Sequence, residues 1–314
     1  MKIVLSTFGS LGDLHPMLAL AIELRGRGHE IIFNTLEVYR EKIDALRFEF
    51  YPLRPDINPD DRDLAREIMD AKSGTEKLLK EILLPNLRPM YEDLMKAVEG
   101  ADAFITGEIF FPAASVAEKT KIKWITTSLA PASFLSPHDP FVPPTAQWLK
   151  HIRFMGATFH AGIYSIIRRL VASWLGSYRE FRREIGLPEN HDPVFRDKFS
   201  NLLHLAMFSK VIGKPQPDWH RPTLQTGFCF YDGQNDLGVM PEDLQRFLDT
   251  GEPPIVFTLG SAAVMDARDF FEESAKAAQI INRRAVLLYG VFNEPPKIVE
   301  SGKWKAKSTE SCCI

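Results

Sequence analysis

The sequence predicts an α/β fold built on parallel sheets, and its N-terminal segment shows the pattern most clearly. A short apolar strand at Ile3–Leu5 runs into a glycine-containing loop, and a helix rich in leucine and alanine starts near Pro16 and ends at Gly26. The strand Ile31–Phe33 follows. This order of strand, loop, helix and strand is that of one parallel crossover unit. Strands and helices continue to alternate up to residue 128, where a predicted strand, Lys123–Ser128, ends, and this alternation is typical of a doubly wound domain.

A second α/β unit begins after residue 252. Pro254–Leu259 predicts a strand, Asp266–Ile281 an amphipathic helix, and Ala285–Tyr289 the next strand. We therefore predict a Rossmann-like domain over 1–230, an interdomain linker over 231–252, and the start of a second Rossmann-like domain over 253–314. A single strand–helix–strand unit leaves much of its sheet uncovered, and the residues after 294 show no periodicity. We therefore expect the second domain to be truncated.

The composition excludes several classes of protein. Hydrophobic residues make up 45% of the chain, charged residues 25%, and the formal net charge is −3, so bulk electrostatics do not favour a nucleic-acid partner. The apolar run at the start of the first helix is too short to span a bilayer, and no secretory signal is evident. We therefore predict no transmembrane segment and a cytoplasmic location. Cys229, Cys312 and Cys313 have neither metal-binding nor disulfide spacing.

Residues 129–147 are rich in proline and predict a long loop. The stretch that follows, 148–175, is amphipathic and contains the aromatic residues Trp148, Phe154, Phe159, Tyr164 and Trp174. Packing against the first domain is one interpretation of these side chains, because aromatic stripes at helical spacing mostly belong to cores. The other interpretation is a hydrophobic cleft that receives a ligand. Both interpretations are open at this point.

The loop between the first strand and the first helix holds the candidate site. Ligands of open parallel sheets bind beyond the carboxyl ends of the strands, and Gly9 and Gly12 allow a close approach of the backbone. Asp13 lies at the N-terminus of the predicted helix, where it either caps the helix or acts as a general base. In the second unit, Gly260 and Ser261 follow a strand and precede a helix, which is a weak signal for phosphate binding.

Three segments carry a resemblance to a known family. They are Gly9-Ser10-Leu11-Gly12-Asp13-Leu14-His15-Pro16, then Thr226-Gly227-Phe228 with Phe230, then Gly251-Glu252-Pro253-Pro254 through to Gly260-Ser261. In motif, order and spacing they resemble the sugar-nucleotide-dependent glycosyltransferases of the two-domain GT-B fold. The similarity is to the sterol, rhamnolipid and glycopeptide-antibiotic enzymes, whose first half is the family 28 N-terminal module. It covers residues 1 to about 292.

The resemblance implies an inverting transfer of a hexose from a UDP- or dTDP-sugar to a hydroxyl of a lipid, sterol or other hydrophobic acceptor, without a metal ion or other cofactor. It assigns Asp13 as the base that deprotonates the acceptor. Gly9, Ser10, Gly12 and His15 then belong to the acceptor-binding loop, in which His15 either assists or only packs. Gly260 and Ser261 would contact the donor diphosphate.

Two features of the sequence depart from the family. The histidine–aspartate dyad of plant relatives is not supported, because Gly107, beside Glu108, stands where the aspartate would be. The H-x-G-G-x-G-T stretch that holds the donor diphosphate is absent after Tyr289, so we expect an incomplete chain with weak or no activity. The alternative is a non-catalytic acceptor-binding or accessory protein. A dinucleotide-binding dehydrogenase is disfavoured, because the first loop lacks G-x-G-x-x-G.

Overall fold

The computed structural model of this protein describes residues 1–233, 240–290 and 292–297. The chain divides into two compact units, each described separately below. The first unit comprises Met1–Gly9, Asp13–Asn58 and Asp70–Phe230, and the second comprises Ser10–Gly12, Pro59–Met69 and the chain from Tyr231 onward.

Seven parallel strands form the sheet of the first unit. They are β1 (Lys2–Ser6), β2 (Glu30–Thr35), β3 (Glu49–Pro52), β4 (Ala103–Thr106), β5 (Lys123–Ser128), β6 (Leu203–Ala206) and β7 (Thr223–Gln225). Their order across the sheet is β3-β2-β1-β4-β5-β6-β7. β1 is central, and Leu5 lies opposite both Phe33 of β2 and Ile105 of β4. All three side chains are buried, and the predicted α/β fold with a parallel sheet is confirmed.

Helices connect these strands and cover the sheet. They are α1 (Leu11–Gly26), α2 (Arg40–Ala45), α4 (Gly74–Lys77), α5 (Leu87–Ala97), α6 (Ala113–Thr120), α7 (Gly156–Ala172) and α8 (Gly176–Glu184), whereas α3 (Arg62–Ile68) belongs to the second unit. A π-helical stretch, Leu78–Leu83, continues α4. The buried Arg182 donates to both carboxylate oxygens of Glu118 at 3.0 Å, which fixes α8 on α6.

The first helix begins earlier than the sequence predicts. It starts at Leu11, so that Pro16 lies inside α1 and not in its first turn. The signal that starts the helix is Ser10, whose Oγ accepts a hydrogen bond from the Gly12 N–H at 3.2 Å. A serine in this arrangement satisfies one of the free N–H groups at a helix N-terminus, and this favours an early start.

The proline-rich segment contains more structure than the predicted loop. A 3₁₀ helix spans Pro131–Phe134, and a second one spans Pro144–Met155 ahead of α7. The ring of Phe134 stacks on Trp219 at a centroid distance of 3.9 Å and anchors the start of the segment in the core. Farther along, Tyr164 is half-buried, whereas Trp148 is 62% exposed. Packing therefore explains only part of the aromatic stretch.

The second unit contains a two-stranded parallel sheet, β8 (Ile255–Thr258) and β9 (Ala285–Leu288), with the helices α9 (Glu242–Asp249) and α10 (Phe270–Ile280). A 3₁₀ helix, Ala263–Asp266, lies between β8 and α10. Within this unit, Nε of Arg62 in α3 donates to the Met265 carbonyl oxygen at 2.9 Å. Cys312 and Cys313 lie outside the described residues.

Of the helices in residues 1–233, 240–290 and 292–297, none is long and apolar enough to cross a bilayer.

Candidate active site

The candidate site lies at the carboxyl edge of the seven-stranded sheet, where β1 lies between β2 and β4. The strand order changes direction at this point, and a crevice forms there in open parallel sheets. Backbone hydrogen bonds hold the three strand ends together: the Gly107 N–H donates to the Ser6 carbonyl oxygen, and the Thr7 N–H donates to that of Asn34, both at 3.2 Å. The loop from β1 to α1 therefore leaves from a fixed base.

The carboxylate of Asp13 lies directly against the backbone of Gly9. A β-carbon placed on Gly9 would be 2.3 Å from Oδ2 of Asp13 and 2.9 Å from its Cγ. The φ angle of Gly9 is +133°, a conformation that side chains disfavour. The Tyr39 hydroxyl donates to the Gly9 carbonyl oxygen at 2.9 Å and holds the loop from β2's side of the sheet. Glycine at position 9 is thus required for the position of the Asp13 carboxylate.

Ser10, and not Asp13, caps the N-terminus of α1. Ser10 immediately precedes α1 and accepts from the Gly12 N–H, so Ser10 occupies the capping position that the sequence analysis considered for Asp13. Asp13 is the third residue of α1, in its first turn. A carboxylate there is stabilised by the positive end of the helix dipole. The Thr7 hydroxyl donates to the Asp13 carbonyl oxygen at 3.4 Å and ties this turn to the end of β1.

His15 lies in α1 two residues after Asp13 and is partly buried. Burial lowers the pKa of its imidazole, and the nearby Lys42 cation lowers it further. Both effects favour the neutral imidazole.

A second polar cluster lies where β4 and β5 end. The Glu108 carboxylate accepts from the hydroxyls of Ser128 at 3.1 Å and Ser133 at 2.7 Å. Nζ of Lys198 lies 3.7 Å from Oε2 of Glu108 and donates to the Ser133 carbonyl oxygen at 2.6 Å. Burial lowers the pKa of Lys198, and the charge of Glu108 opposes that shift. The cluster ties the loop after β5 to the strand ends.

Sequence reasoning missed this cluster. It placed Glu108 beside Gly107 but gave no reason to connect either residue with Lys198, which is far away in the chain. The available signal was a lysine ahead of a predicted strand whose surroundings are apolar and aromatic. A charge in such a place needs a partner, but the sequence does not show which carboxylate supplies it.

The second unit places Gly260 and Ser261 just after β8, as predicted. The Gly260 carbonyl oxygen accepts from the Val264 N–H at 2.9 Å, and nothing lies within 4 Å of the place where a β-carbon of Gly260 would be. The predicted helix Asp266–Ile281 begins later than expected, at Phe270. A 3₁₀ helix, Ala263–Asp266, occupies the first residues after the loop.

A groove of the first unit lies at the other edge of the sheet. It has a volume of about 580 Å³ and is lined by residues at the amino ends of strands, among them Lys123, Trp124, Leu202 and His220. Amino and carboxyl ends of parallel strands lie at opposite edges, so this groove is separate from Asp13. Among the described residues, no group of three or more His, Cys, Asp and Glu side chains could hold a metal ion.

Comparison with known proteins gives the same family as the motifs. Residues 3–100 match the glycosyltransferase family 28 N-terminal domain. An O-mycaminosyltylonolide 6-deoxyallosyltransferase of Streptomyces fradiae is 28% identical over 307 residues, which cover 92% of this chain and 68% of that protein. Sterol 3-beta-glucosyltransferase UGT80A2 of Arabidopsis thaliana is 26% identical over 313 residues, 92% of this chain and 46% of that protein.

Other relatives are much longer than this chain. UDP-sugar-dependent glycosyltransferase 52 of Dictyostelium discoideum is 24% identical over 310 residues, which cover 92% of this chain but 17% of that protein. The chain thus spans about two thirds of the first relative's length and less than half of the sterol enzyme's.

Solved structures share the fold. The glycotransferase of kitacinnamycin superposes with a TM-score of 0.65 at 16% identity, over 98% of this chain and 70% of that one. Streptomyces sp. SF2575 glycosyltransferase SsfS6, complexed with thymidine diphosphate, has a TM-score of 0.51 at 16% identity, over 92% of this chain and 67% of that one. The chain resembles the GT-B glycosyltransferases in sequence and in fold.

Proposed function

We propose that this chain carries the acceptor half of an inverting hexosyltransferase, which moves a sugar from a UDP- or dTDP-sugar to a hydroxyl of a lipid, sterol or other hydrophobic acceptor. The observation that carries the proposal is the position of Asp13. Its carboxylate is held against Gly9 at the carboxyl edge of the sheet, where parallel α/β proteins bind ligands. Asp13 is the proposed general base.

The proposed reaction is a single displacement. The acceptor oxygen forms a bond to the anomeric carbon while the bond from that carbon to the diphosphate oxygen breaks. The Asp13 carboxylate takes the proton of the attacking hydroxyl, and the nucleoside diphosphate leaves with the electron pair. A positioned carboxylate contributes about a hundredfold to ten-thousandfold to such a step, provided that it lies within hydrogen-bond reach of the hydroxyl. Attack opposite the leaving group inverts the anomeric configuration.

The donor side of the proposal rests on the second unit and on the relatives. One relative is named as UDP-sugar-dependent, and one solved neighbour contains thymidine diphosphate. The loop at Gly260 and Ser261 follows a parallel strand and leaves open space over the glycine, so backbone N–H groups and the Ser261 hydroxyl could meet a diphosphate there. We propose this loop as one part of the donor site.

The hydrophobic acceptor is supported by two observations. A relative is named as a sterol glucosyltransferase, and the segment after β5 exposes several large apolar side chains. The polar cluster of Glu108 and Lys198 fixes the beginning of that segment at the same edge of the sheet as Asp13. An apolar acceptor with a single hydroxyl fits such a combination of carboxylate and apolar surface.

Replacement of the proposed base tests the function. Asp13→Asn keeps the shape of the side chain and removes its basicity, so it should lower the rate of sugar transfer from UDP-glucose or dTDP-glucose to sterols about a hundredfold or more. Asp44→Asn, which changes an exposed carboxylate in α2, is the matched control and should leave the rate unchanged. Transfer by Asp13→Asn at the rate of the unchanged chain would refute the assignment.

The alternative function is a non-catalytic acceptor-binding protein. In that case the unchanged chain would transfer no sugar, sterols would raise its melting temperature, and sugar nucleotides would not. The same thermal measurements, made on the Asp13→Asn variant, separate the two functions, because loss of a base alone leaves binding of both substrates intact.

A further inference from the structure

The groove at the amino edge of the seven-stranded sheet has the size and the lining of a small-molecule site. We call it the amino-edge groove; it is lined by residues of α6, of the start of β5 and of the segment that leads into β6. Its volume of about 580 Å³ lies within the range of about 300 to 1,000 Å³ that is usual for such sites. None of the residues that line it belongs to the proposed catalytic site at the opposite edge.

Aromatic rings held in fixed positions form one part of the amino-edge groove. Trp124 is partly buried, and its Nε1 donates to the Thr106 hydroxyl at 3.0 Å. Nε2 of His220 donates to the Ser200 carbonyl oxygen at 3.0 Å, and the imidazole stacks on Phe199 with 5.4 Å between the ring centroids and 12° between the ring planes. Because hydrogen bonds and stacking already fix these rings, a flat molecule could bind against them at little cost in side-chain ordering.

Three cationic side chains form another part of the groove. Lys121, Lys123 and Arg196 line it and are exposed. Within the part of the chain that the structure describes, none of these three side chains forms an ion pair or a hydrogen bond. A lysine just after a helix also stabilises the helix dipole, which suits Lys121 at the end of α6. Arg196 belongs to the segment between α8 and β6, so the dipole of α6 does not explain the whole group.

The carboxylates that line the groove already have partners. Both oxygens of Glu118 accept from the buried Arg182 at 3.0 Å. The Asp197 carboxylate accepts from the Asp192 N–H and lies 3.7 Å from Nδ1 of His191. The groove therefore offers positive charge to a ligand, although the chain as a whole has a net charge of −3. A concave site lined by one sign of charge concentrates ligands of the opposite sign.

We propose that the amino-edge groove binds a small planar aromatic anion, whose ring lies against Trp124 and Phe199. Its anionic group would face Lys121, Lys123 and Arg196. A neutral aromatic molecule would leave these cations without a partner, and an anion without a ring would leave the aromatic wall in contact with water. The inference goes beyond the proposed function, since it needs neither the sugar donor nor the base Asp13.

Ligand binding tests the proposal. Dissociation constants are measured by ligand-observed NMR for 2-naphthoate, for the uncharged 2-naphthalenemethanol, and for acetate, which has the charge without the ring. The naphthoate should bind with a Kd of about 1 mM or lower. The other two should bind at least about tenfold more weakly. The triple variant Lys121→Gln, Lys123→Gln and Arg196→Gln should bind naphthoate about tenfold more weakly and the uncharged alcohol as before.

A charge-matched variant separates the groove from the overall charge of the chain. Lys72→Gln, Lys96→Gln and Lys210→Gln removes three exposed cations outside the groove and should bind naphthoate as the unchanged chain does. Asp13→Asn should also bind it normally, and excess UDP should not displace it, so a failure of the proposed catalysis leaves this test intact. Far-UV circular dichroism checks that every variant is folded.

Several results would overturn the proposal. Equal dissociation constants for the naphthoate and the uncharged alcohol would show that the three cations do not take part. Undiminished naphthoate binding by the folded groove variant would place the ligand elsewhere. An equal loss in the two triple variants would attribute binding to overall charge, and a lack of naphthoate binding by the unchanged chain would show that the groove is no site for this class of ligand.

Discussion

Two strand–loop–helix entries of this protein, β1 to α1 and β8 to α10, have the same order of elements and differ in how firmly they are built. From Ile3 to Ser6, β1 is buried throughout, because neighbouring strands and helices cover it on both sides and both faces. In β8, half-buried and exposed residues alternate, and β9 is its one partner in the described sheet. Parallel strands are stable when both faces are covered, which holds for β1 but only in part for β8.

The loops differ in the same sense. The loop after β1 is closed around a carboxylate, with Gly9 in contact with Asp13 and held by Tyr39. The loop after β8 has open space at Gly260. A fixed loop suits a catalytic group, which must be held in position before the substrate arrives. An open loop leaves its own backbone N–H groups accessible to a ligand.

Substitution of Gly9 and Gly260 by alanine should give the largest difference between the two loops. Gly9→Ala should reduce the rate of sugar transfer about a hundredfold, because a β-carbon 2.3 Å from Oδ2 displaces the Asp13 carboxylate. Gly260→Ala has room for its methyl group, so the fold should be unaffected and the donor KM should rise about tenfold at most. Steady-state kinetics on both variants measure the difference.

The result that would contradict this argument is a Gly9→Ala variant with unchanged kcat. It would mean that the position of the Asp13 carboxylate against Gly9 has no influence on the reaction. Gly28→Ala is a control for backbone strain alone, because Gly28 also has a positive φ but has nothing near its β-carbon position.

Two valines test the difference in burial between the strands. Val4 in β1 is fully buried, and Val256 in β8 is 56% exposed. Val4→Ala should lower the free energy of unfolding by about 2 to 3 kcal/mol, because it leaves a cavity in the sheet core. Val256→Ala should change it by about 0.5 kcal/mol or less. Denaturant unfolding measures both; equal losses would show that β8 is as well packed as β1.

Much of the first unit could be predicted from the sequence. The strand Lys123–Ser128 has the predicted bounds, because its apolar run is bounded by charged and loop residues. The predicted start of α1 is several residues too late. Pro16 is a conspicuous helix-start signal, whereas a serine in a loop, such as Ser10, is too common to mark a helix start. Local patterns therefore located the strands and left the helix ends less certain.

The candidate site was predictable only where one short motif contains it. Asp13 and Gly9 are close in sequence, so the motif named both, but the contact between the carboxylate and the glycine is a property of the folded loop. The pairing of Glu108 with Lys198 joins residues that only the packing of the sheet brings together. The sequence left open whether the apolar residues after β5 pack in the core, and Phe159, Ile166 and Leu170 of α7 are exposed in the structure. Periodicity shows which residues share a face and not whether that face is covered.

A last difference between the units is the expected sensitivity of their stability to acidic pH. All eight histidines of the chain lie at or before residue 220, in the first unit. His204 in β6 is fully buried, with Nδ1 hydrogen-bonded to Thr126 Oγ1 at 2.8 Å. Burial lowers the pKa of His204 to about 3, and the nearby His220 and Lys198 contribute to the same shift. The folded protein therefore holds this imidazole neutral at mildly acidic pH.

The sign of the pH dependence follows from that lowered pKa. Between the ordinary histidine pKa of about 6.5 and the value of about 3 in the folded state, the unfolded chain binds a proton at His204 and the folded chain does not. Stability is therefore lost as the pH falls below about 6.5, and the part due to His204 amounts to roughly 2 kcal/mol at pH 5.

His204→Asn should remove most of this loss, whereas His138→Asn, at an exposed position, should not. Denaturant unfolding at pH 7 and pH 5, followed by tryptophan fluorescence, measures it: Trp124, Trp148, Trp174 and Trp219 all belong to the first unit. An equal loss of stability in both variants would place the acid sensitivity outside β6 and would weaken the contrast between the two units.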